Sequence, residues 1–557
     1  MHITTPLLSV FPFHTHTHRP PFSLHIHHHW KMPEVRVRSD KVRYTPDAIE
    51  TQYDYTTTRV SCDAKGVVEV VPVIHRLMFR TERKVPRVGV MLVGWCGNNG
   101  TTVTAGILAN KMGLSWRTRR GMQSSNYFGS ITQSSTINLG MTRDMHETFV
   151  PLKDLVPMVS PNDFVIGGWD CNSMNLGDAM RRAGVLEVQL QDALYEHMKK
   201  LHPLPAIFDI EFVAANQKER ANNVLAVRDR WAAVEHVRND IRQFKAANHL
   251  DKVLVLWTAN TERFSEYRDG IHDTADNLLA AVKCNETEVA PSALYAIAAI
   301  LEKCSFINGA PQNTLCPGVV EMARTANVFV GGDDFKSGQT KMKSALIEFF
   351  VGAGIKPECI ASYNHLGNND GYNLSSPKQF SSKEITKSNV VDDMIRSNSI
   401  LFPKGTPKPD HCIVIKYLPY VGDSKRAMDE YTFSIFMGGQ QTVVLHNTCE
   451  DSLLAAPLII DLLVLTELME RVTISASDGL QSPPPASFEH METVLSILSY
   501  LLKAPAVPDG TPVVNALNRQ KAAIESVLRA MIGLPAESNM LLECRVPFIR
   551  EEHVNGE

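Results

Sequence analysis

Six apolar residues, Val88–Val93, run directly into a glycine-rich turn, Gly94-Trp95-Cys96-Gly97-Asn98-Asn99-Gly100, and then into a helical stretch over residues 101–112. A short continuous apolar run bounded by glycine fits a strand buried on both faces, which belongs in a parallel sheet. The pattern returns twice. Phe164-Val165-Ile166 ends at Gly167-Gly168-Trp169-Asp170 ahead of a helical stretch over 176–183, and residues 253–257 end at Thr258-Ala259-Asn260-Thr261-Glu262-Arg263. A further helical stretch covers 221–246. Strands alternating with helices specify an open α/β sheet whose ligands bind beyond the strands' carboxyl ends, where all three polar tails stand.

The chain has 557 residues, enough for about three to four domains. Its net charge of −4 supplies no basic field for nucleic acid or an anionic membrane. Ten cysteines without a CxxC pair support neither a disulfide scaffold nor a zinc ribbon, and fit reduced, scattered thiols. The longest apolar stretch, 453–468, is interrupted by Pro457 and Asp461 and reads as a buried helix rather than a membrane span. Residues 1–31 hold eight histidines and little periodicity, without a secretory signal. They read as a disordered extension before Met32, although His-rich tracts can also bind metal. Residues 473–487, rich in Ser and Pro, read as a surface loop.

Four segments could carry chemistry. The first is the 94–100 turn, which would expose backbone N–H groups at a helix N-terminus, a geometry suited to a pyrophosphate. Its spacing is G-x-x-G-x-x-G, and no acidic residue follows at about 20 positions to take ribose hydroxyls. A structural turn without a ligand is equally open, and Asp170 could be either a substitute ribose partner or a helix cap. The second, residues 331–341, contains Asp334 and Ser337 at a strand-to-helix junction after residues 327–330, but lacks the order of a nucleotide triphosphatase loop. The third starts at residues 362–371 and leads to a lysine set: Lys383, Lys387, Lys416, Lys425 and Lys503. Lysines facing one pocket could hold a phosphate and stabilise an enolate; scattered, they would simply be solvated. The fourth is His446-Asn447-Thr448-Cys449-Glu450-Asp451-Ser452, where Asp451 could cap the following helix and nothing supports a Cys–His protease.

Taken together, residues 94–102, 168–170, 257–264, 311–314, 331–344, 362–371, 410–431 and 445–457 resemble the myo-inositol-1-phosphate synthase family. The likeness extends from about Val35 to Leu542. Its long motifs, SYNHLGNNDG at 362–371 and HNTCEDS at 446–452, are far more specific than a glycine turn.

The resemblance implies an NAD-dependent isomerase that turns glucose 6-phosphate into an inositol monophosphate, the first committed step of inositol and inositol phospholipid synthesis. C5 is oxidised, a proton leaves C6, an intramolecular aldol joins C6 to C1, and C5 is reduced again. It also implies a cofactor site of Cys96, Gly97, Asn98, Asn99, Asp170, Gln217, Arg220, Thr258, Ala259, Asn260, Thr261, Asp334, Ser337, Asn368, Asn369, Asp370, Asp423, Asp451 and Ser452. Substrate would meet Asn364, Lys383, Lys387, Lys425 and Lys503, with catalysis shared by the four lysines, Asp334, Asn368 and Asp370. Lys383 would shuttle the proton at the C5 oxygen, Lys425 and Lys503 would stabilise developing charge, Lys387 would hold phosphate, and no metal is called for. Cys96 departs from the family, which has glycine there. A left-handed conformation at Cys96 would cost about 1 to 2 kcal/mol and weaken NAD binding, whereas negative φ would leave the cysteine harmless.

The implied fold is α/β: a Rossmann-like NAD-binding domain over 85–345, an α+β catalytic and tetramerisation segment over 346–452, and a central domain built from 32–84 and 453–557. A cytoplasmic homotetramer is implied, with no membrane or nucleic-acid partner. The rival readings are an NAD-dependent sugar-phosphate dehydrogenase, which would release NADH, and an inactive oligomeric relative.

Overall fold

Residues 35–227, 229–476 and 487–555 are described by the computed structural model. The chain divides into two units, Met1–Val35 and Arg36–Glu557, and every element described below belongs to the second. The His-rich stretch 1–31 and residues 477–486 of the Ser/Pro-rich segment lie outside the described residues.

Six parallel strands form the central sheet: β1 (Val88–Val93), β2 (Val165–Asp170), β3 (Leu204–Pro205), β4 (Lys252–Trp257), β5 (Phe306–Asn308) and β6 (Val330–Gly331). Their spatial order, β3-β2-β1-β4-β5-β6, is that of a doubly wound dinucleotide fold, with its crevice where β1 meets β4. Every residue of β1 is buried, as its apolar run requires. Helix α1 (Asn98–Met112) leaves β1 through the glycine turn. Two hairpins, Ser115–Thr118 with Gly121–Ser124 and Thr136–Met141 with Glu147–Pro151, are inserted before β2.

The stretch expected to be helical over 221–246 begins its helix only at Arg230. Asn223 is engaged instead in backbone bonds to Cys171 and Ala206, and Asp229 caps the helix by accepting from Ala232 N at 2.6 Å.

A second sheet packs β7 (Lys356–Leu366) between β8 (Asp410–Tyr417), which is parallel to it, and β9 (Ser424–Ser434), which is antiparallel. Strand β10 (Gln440–Glu450) completes it beside β9. Helices α2 (Gly338–Gly352) and α3 (Pro377–Ser388) belong to the same region of the chain. A third sheet joins Val42–Tyr44, Ala48–Cys62, Val68–Glu82 and Val472–Ala476, so segments from both halves of the chain share it. Residues 473–476, expected in a loop, are strand because they pair with Leu77–Arg80.

The apolar stretch near 453–468 is helix α4 (Asp451–Met469), long and apolar enough to cross a membrane but 83% buried in the protein. Its Asp461 accepts from the Ser130 hydroxyl and the Ile131 and Thr132 amides at 2.6 to 2.9 Å. An interior carboxylate satisfied in this way marks a packed core helix.

Candidate active site

The carboxyl ends of β1, β2 and β4 open into a cleft closed opposite by β7, α3 and the start of α4. At its β1 end the chain turns at Gly94, whose φ is +87° and where a Cβ would lie 2.5 Å from Ala259 Cα. Only glycine fits that approach. Gly97 precedes α1 without a side-chain cap, and no acid occupies the helix's first turn. The helix therefore offers its positive end and free N–H groups to an anion.

Gly97, Asn98 and Asn99 line this part of the cleft, with Asp170 at the tip of β2 and Arg220 near it. Asp170 caps no helix; it accepts from Cys96 N and Asn172 N, each at 2.9 Å. Burial raises its carboxyl above the ordinary range, with Arg220 opposing. It occupies the place of the acidic ribose partner in this strand order. The two inserted hairpins explain why it appears so late in the sequence.

Cys96 does not behave as the glycine comparison suggested. It is absent from the residues with positive φ, and its thiol turns away to Met174 O at 3.1 Å. It is fully buried and does not line the cleft. The strain that a left-handed conformation would bring therefore does not arise, and the negative-φ alternative holds.

The middle of the cleft is formed by Thr258, Ala259, Asn260 and Thr261 after β4, facing Asn368, Asn369 and Asp370 after β7. Thr261 N donates to Asp370 Oδ1 at 3.0 Å. Gln217 and Asp423, both expected at the cofactor, stand behind this wall. Gln217 Oε1 accepts from Asn260 at 2.7 Å and Asn369 at 2.9 Å. Asp423 accepts from Asn98 and Asn368, each at 3.0 Å, and from Ser452 N at 2.8 Å. One carboxylate thus ties the starts of α1 and α4 to the β7 loop.

At the far end Lys383, Lys387, Lys425 and Lys503 converge from two elements and a loop. Lys383 and Lys387 share a face of α3 at i, i+4. Lys425 comes from β9. Lys503 is delivered by a stretch antiparallel to 333–336, its amide donating to Asp334 O at 2.7 Å. Lys416 does not join them: it lies exposed on β8. Asp334 accepts from Lys383 at 2.8 Å, Lys503 at 3.1 Å and the Thr386 hydroxyl at 2.9 Å. Asp451 accepts from Lys425 at 3.3 Å and Lys387 donates to Gln339 Oε1 at 3.2 Å.

The electrostatics separate these groups. Burial would raise the Asp334 carboxyl, but Lys383 and Lys503 hold it well below the carboxylate range. Burial would lower the Lys383 ammonium, yet Asp334, Asp370 and Asp451 hold it above its ordinary value. For Lys503 burial wins and pushes it down to about 8. Burial, reinforced by Lys425 and Lys503, drives Lys387 well below the ordinary range.

Among the described residues, three buried side-chain atoms of the cleft lining have no partner: Trp257 Nε1, Thr258 Oγ1 and Asn364 Oδ1. Such atoms suit a bound polar molecule. With the open α1 terminus and Asp170, they make the cleft fit a dinucleotide beside an anionic substrate. Ser337 and Ser452 also line it, as does Arg182, which donates to Cys96 O at 2.5 Å. Arg182 lies in a stretch read as helical, where no sequence signal marks its direction.

The family model for myo-inositol-1-phosphate synthase matches residues 88–529. Inositol-3-phosphate synthase of Trypanosoma brucei brucei is 65% identical over 524 residues, covering 93% of this chain and 99% of the relative. Inositol-3-phosphate synthase 1 of Homo sapiens is 57% identical over 507 residues, covering 91% and 89%. The crystal structure of inositol-3-phosphate synthase from Caenorhabditis elegans superposes with a TM-score of 0.89 at 50% identity, covering 92% of this chain and 99% of that one.

Proposed function

The chain belongs to the myo-inositol-1-phosphate synthase family, and from that premise we propose how the residues of its cleft divide the work. It is an NAD-dependent isomerase that converts glucose 6-phosphate into inositol 3-phosphate. NAD supplies a hydride acceptor at C5 and the hydride donor that later restores the same carbon.

One observation carries the assignment of roles: four lysines stand beside a dinucleotide cradle with two carboxylates, Asp334 and Asp451, accepting from three of them. The remaining positive charge suits a phosphate dianion and an enolate. Lys387 and the uncapped start of α2 hold the phosphate. Lys383, kept charged by Asp334, donates to the C5 oxygen. Lys503, pushed down to about 8 and sharing the Asp334 carboxylate with Lys383, takes the hydroxyl proton from that oxygen and returns it. The proton shuttle expected at Lys383 is thus shared across Lys383, Asp334 and Lys503. Lys425 stabilises charge on the carbonyl oxygen during ring closure, and Asn364, Asn368 and Asp370 orient substrate hydroxyls.

On the cofactor side, the amides of Gly97, Asn98 and Asn99 bind the pyrophosphate and Asp170 the ribose, with Arg220 beside it. Thr258, Ala259, Asn260, Thr261 and Asn369 line the dinucleotide's path, and Ser337, Asp451 and Ser452 flank the nicotinamide end. Gln217 and Asp423 act through the residues they hold. The division of the chain at 85–345, 346–452 and the paired terminal segments, a homotetramer with its contacts in 346–452, and a cytoplasmic location complete the proposal.

Glucose 6-phosphate deuterated at C5 tests the internal redox cycle. The label should be retained in the inositol phosphate, because the hydride returns to its own carbon. Loss of the label to solvent would contradict the cycle.

A further inference from the structure

Behind the four lysines lies a second polar layer that the assignments above leave without a role. Ser362 on β7 and Asp429 on β9 are cross-strand partners, and the Ser362 hydroxyl donates to Asp429 Oδ1. Gln339 and Lys343 stand one turn apart on α2, a spacing that puts both on one face. Gln339 Nε2 donates to Asp429 Oδ1 at 2.9 Å, and Lys343 Nζ donates to Ser362 Oγ at 2.8 Å and His411 Nε2 at 2.7 Å. Gln339, Lys343, Ser362 and Asp429 are all at most 5% exposed. Polar groups so deeply buried cost stability unless satisfied, and Asp429 is the single carboxylate among them.

The layer has a direction. A primary amide offers N–H donors at one end and a carbonyl acceptor at the other. The Asp429 carboxylate accepts only, so it fixes the Gln339 amide with Nε2 inward and Oε1 toward the cleft. Lys387 Nζ donates to that oxygen. Were the amide reversed, it would present N–H groups to an ammonium already surrounded by Lys343, Lys383, Lys425 and Lys503.

We infer that Asp429 is a positioning residue for substrate binding: it sets the Gln339 amide so that its carbonyl holds the Lys387 ammonium at the substrate's phosphate. The inference rests on the reading of Lys387 as the phosphate-binding lysine. It predicts an effect on ground-state binding of the anion rather than on the chemical step, because the contact is made equally before and during reaction.

Three variants of the full chain test it: Asp429→Asn, Gln339→Leu and Lys387→Met. Measured for each are KM for glucose 6-phosphate, kcat, the inhibition constant of inorganic phosphate, and NAD affinity by calorimetry. In Asp429→Asn and Gln339→Leu, KM and the phosphate constant should rise at least about tenfold, the scale of one lost hydrogen bond to a charged group. Their kcat should stay within about threefold and NAD affinity within about twofold. If KM and the phosphate constant are unchanged in Gln339→Leu while Lys387→Met raises both, the inference is wrong. If NAD affinity falls in step with KM, the layer is merely structural and the inference is again wrong. If Lys387→Met itself leaves both constants unchanged, the failure belongs to the phosphate reading. Gln339→Leu keeps the Ser362–Asp429 pair, so it decides the matter even if Asp429→Asn does not fold.

Discussion

Lys383 and Lys503 donate to the same carboxylate oxygen, Asp334 Oδ1, at 2.8 and 3.1 Å, yet their protons are held unequally. Lys383 gains more from Asp334, Asp370 and Asp451 than it loses to burial, whereas Lys503 loses more and falls to about 8. One shared carboxylate therefore keeps a permanent cation next to a lysine that can exchange its proton near neutral pH, the pairing acid–base work at one oxygen requires.

The Lys503 assignment fixes a pH dependence. Below about 8 the lysine is mostly protonated and unable to accept a proton. The kcat/KM value, which reports the free enzyme, should rise with pH, pass its midpoint near 8 and level off above it. In Lys503→Arg the side chain cannot lose its proton, so turnover should fall at least about a hundredfold. Activity in that variant within about tenfold of the parent, with the same pH limb, would move the proton exchange to another group.

Lys383→Ala should reduce turnover by about 10²- to 10⁴-fold while calorimetry still detects NAD binding. The role proposed for this lysine is at the C5 oxygen, away from the pyrophosphate cradle. Turnover within about tenfold of the parent would exclude that role.

Asp170→Ala should weaken NAD affinity by at least about tenfold, as expected for losing hydrogen bonds between a carboxylate and the ribose hydroxyls. The same change frees the Cys96 and Asn172 amides, so the turn itself should loosen. Unaltered affinity would show that the ribose lies elsewhere.

Cys96→Gly should bring no gain in NAD affinity, because Cys96 has no positive φ to relieve and its thiol faces Met174. Stability should drop by about 1 kcal/mol from the freer backbone alone, read as a lower thermal midpoint. A clear gain in affinity would restore the strain explanation.

The sheet was legible in the sequence because β1 and β4 are buried on both faces, which leaves uninterrupted apolar runs at 88–93 and 253–257. The acid proposed for the ribose was harder to place. Hairpins inserted between α1 and β2 carry Asp170 far past the usual spacing of about 20 residues. Convergence of the lysines was implied by the family resemblance but could not be read from their spacing, since Lys383, Lys425 and Lys503 meet through contacts distant in sequence. Lys416 looks equivalent in the sequence and differs only in facing solvent on β8. Nor did Gln339 and Asp429 carry any motif; their pairing exists only because α2 packs across β7 and β9.

The most direct test of the central claim mixes the protein with glucose 6-phosphate and NAD, following absorbance at the NADH band while phosphorus NMR identifies the product. An isomerase that returns its hydride should accumulate inositol phosphate, with NADH never exceeding the amount of enzyme. NADH formed in proportion to substrate consumed, with an oxidised sugar phosphate as product, would contradict the account.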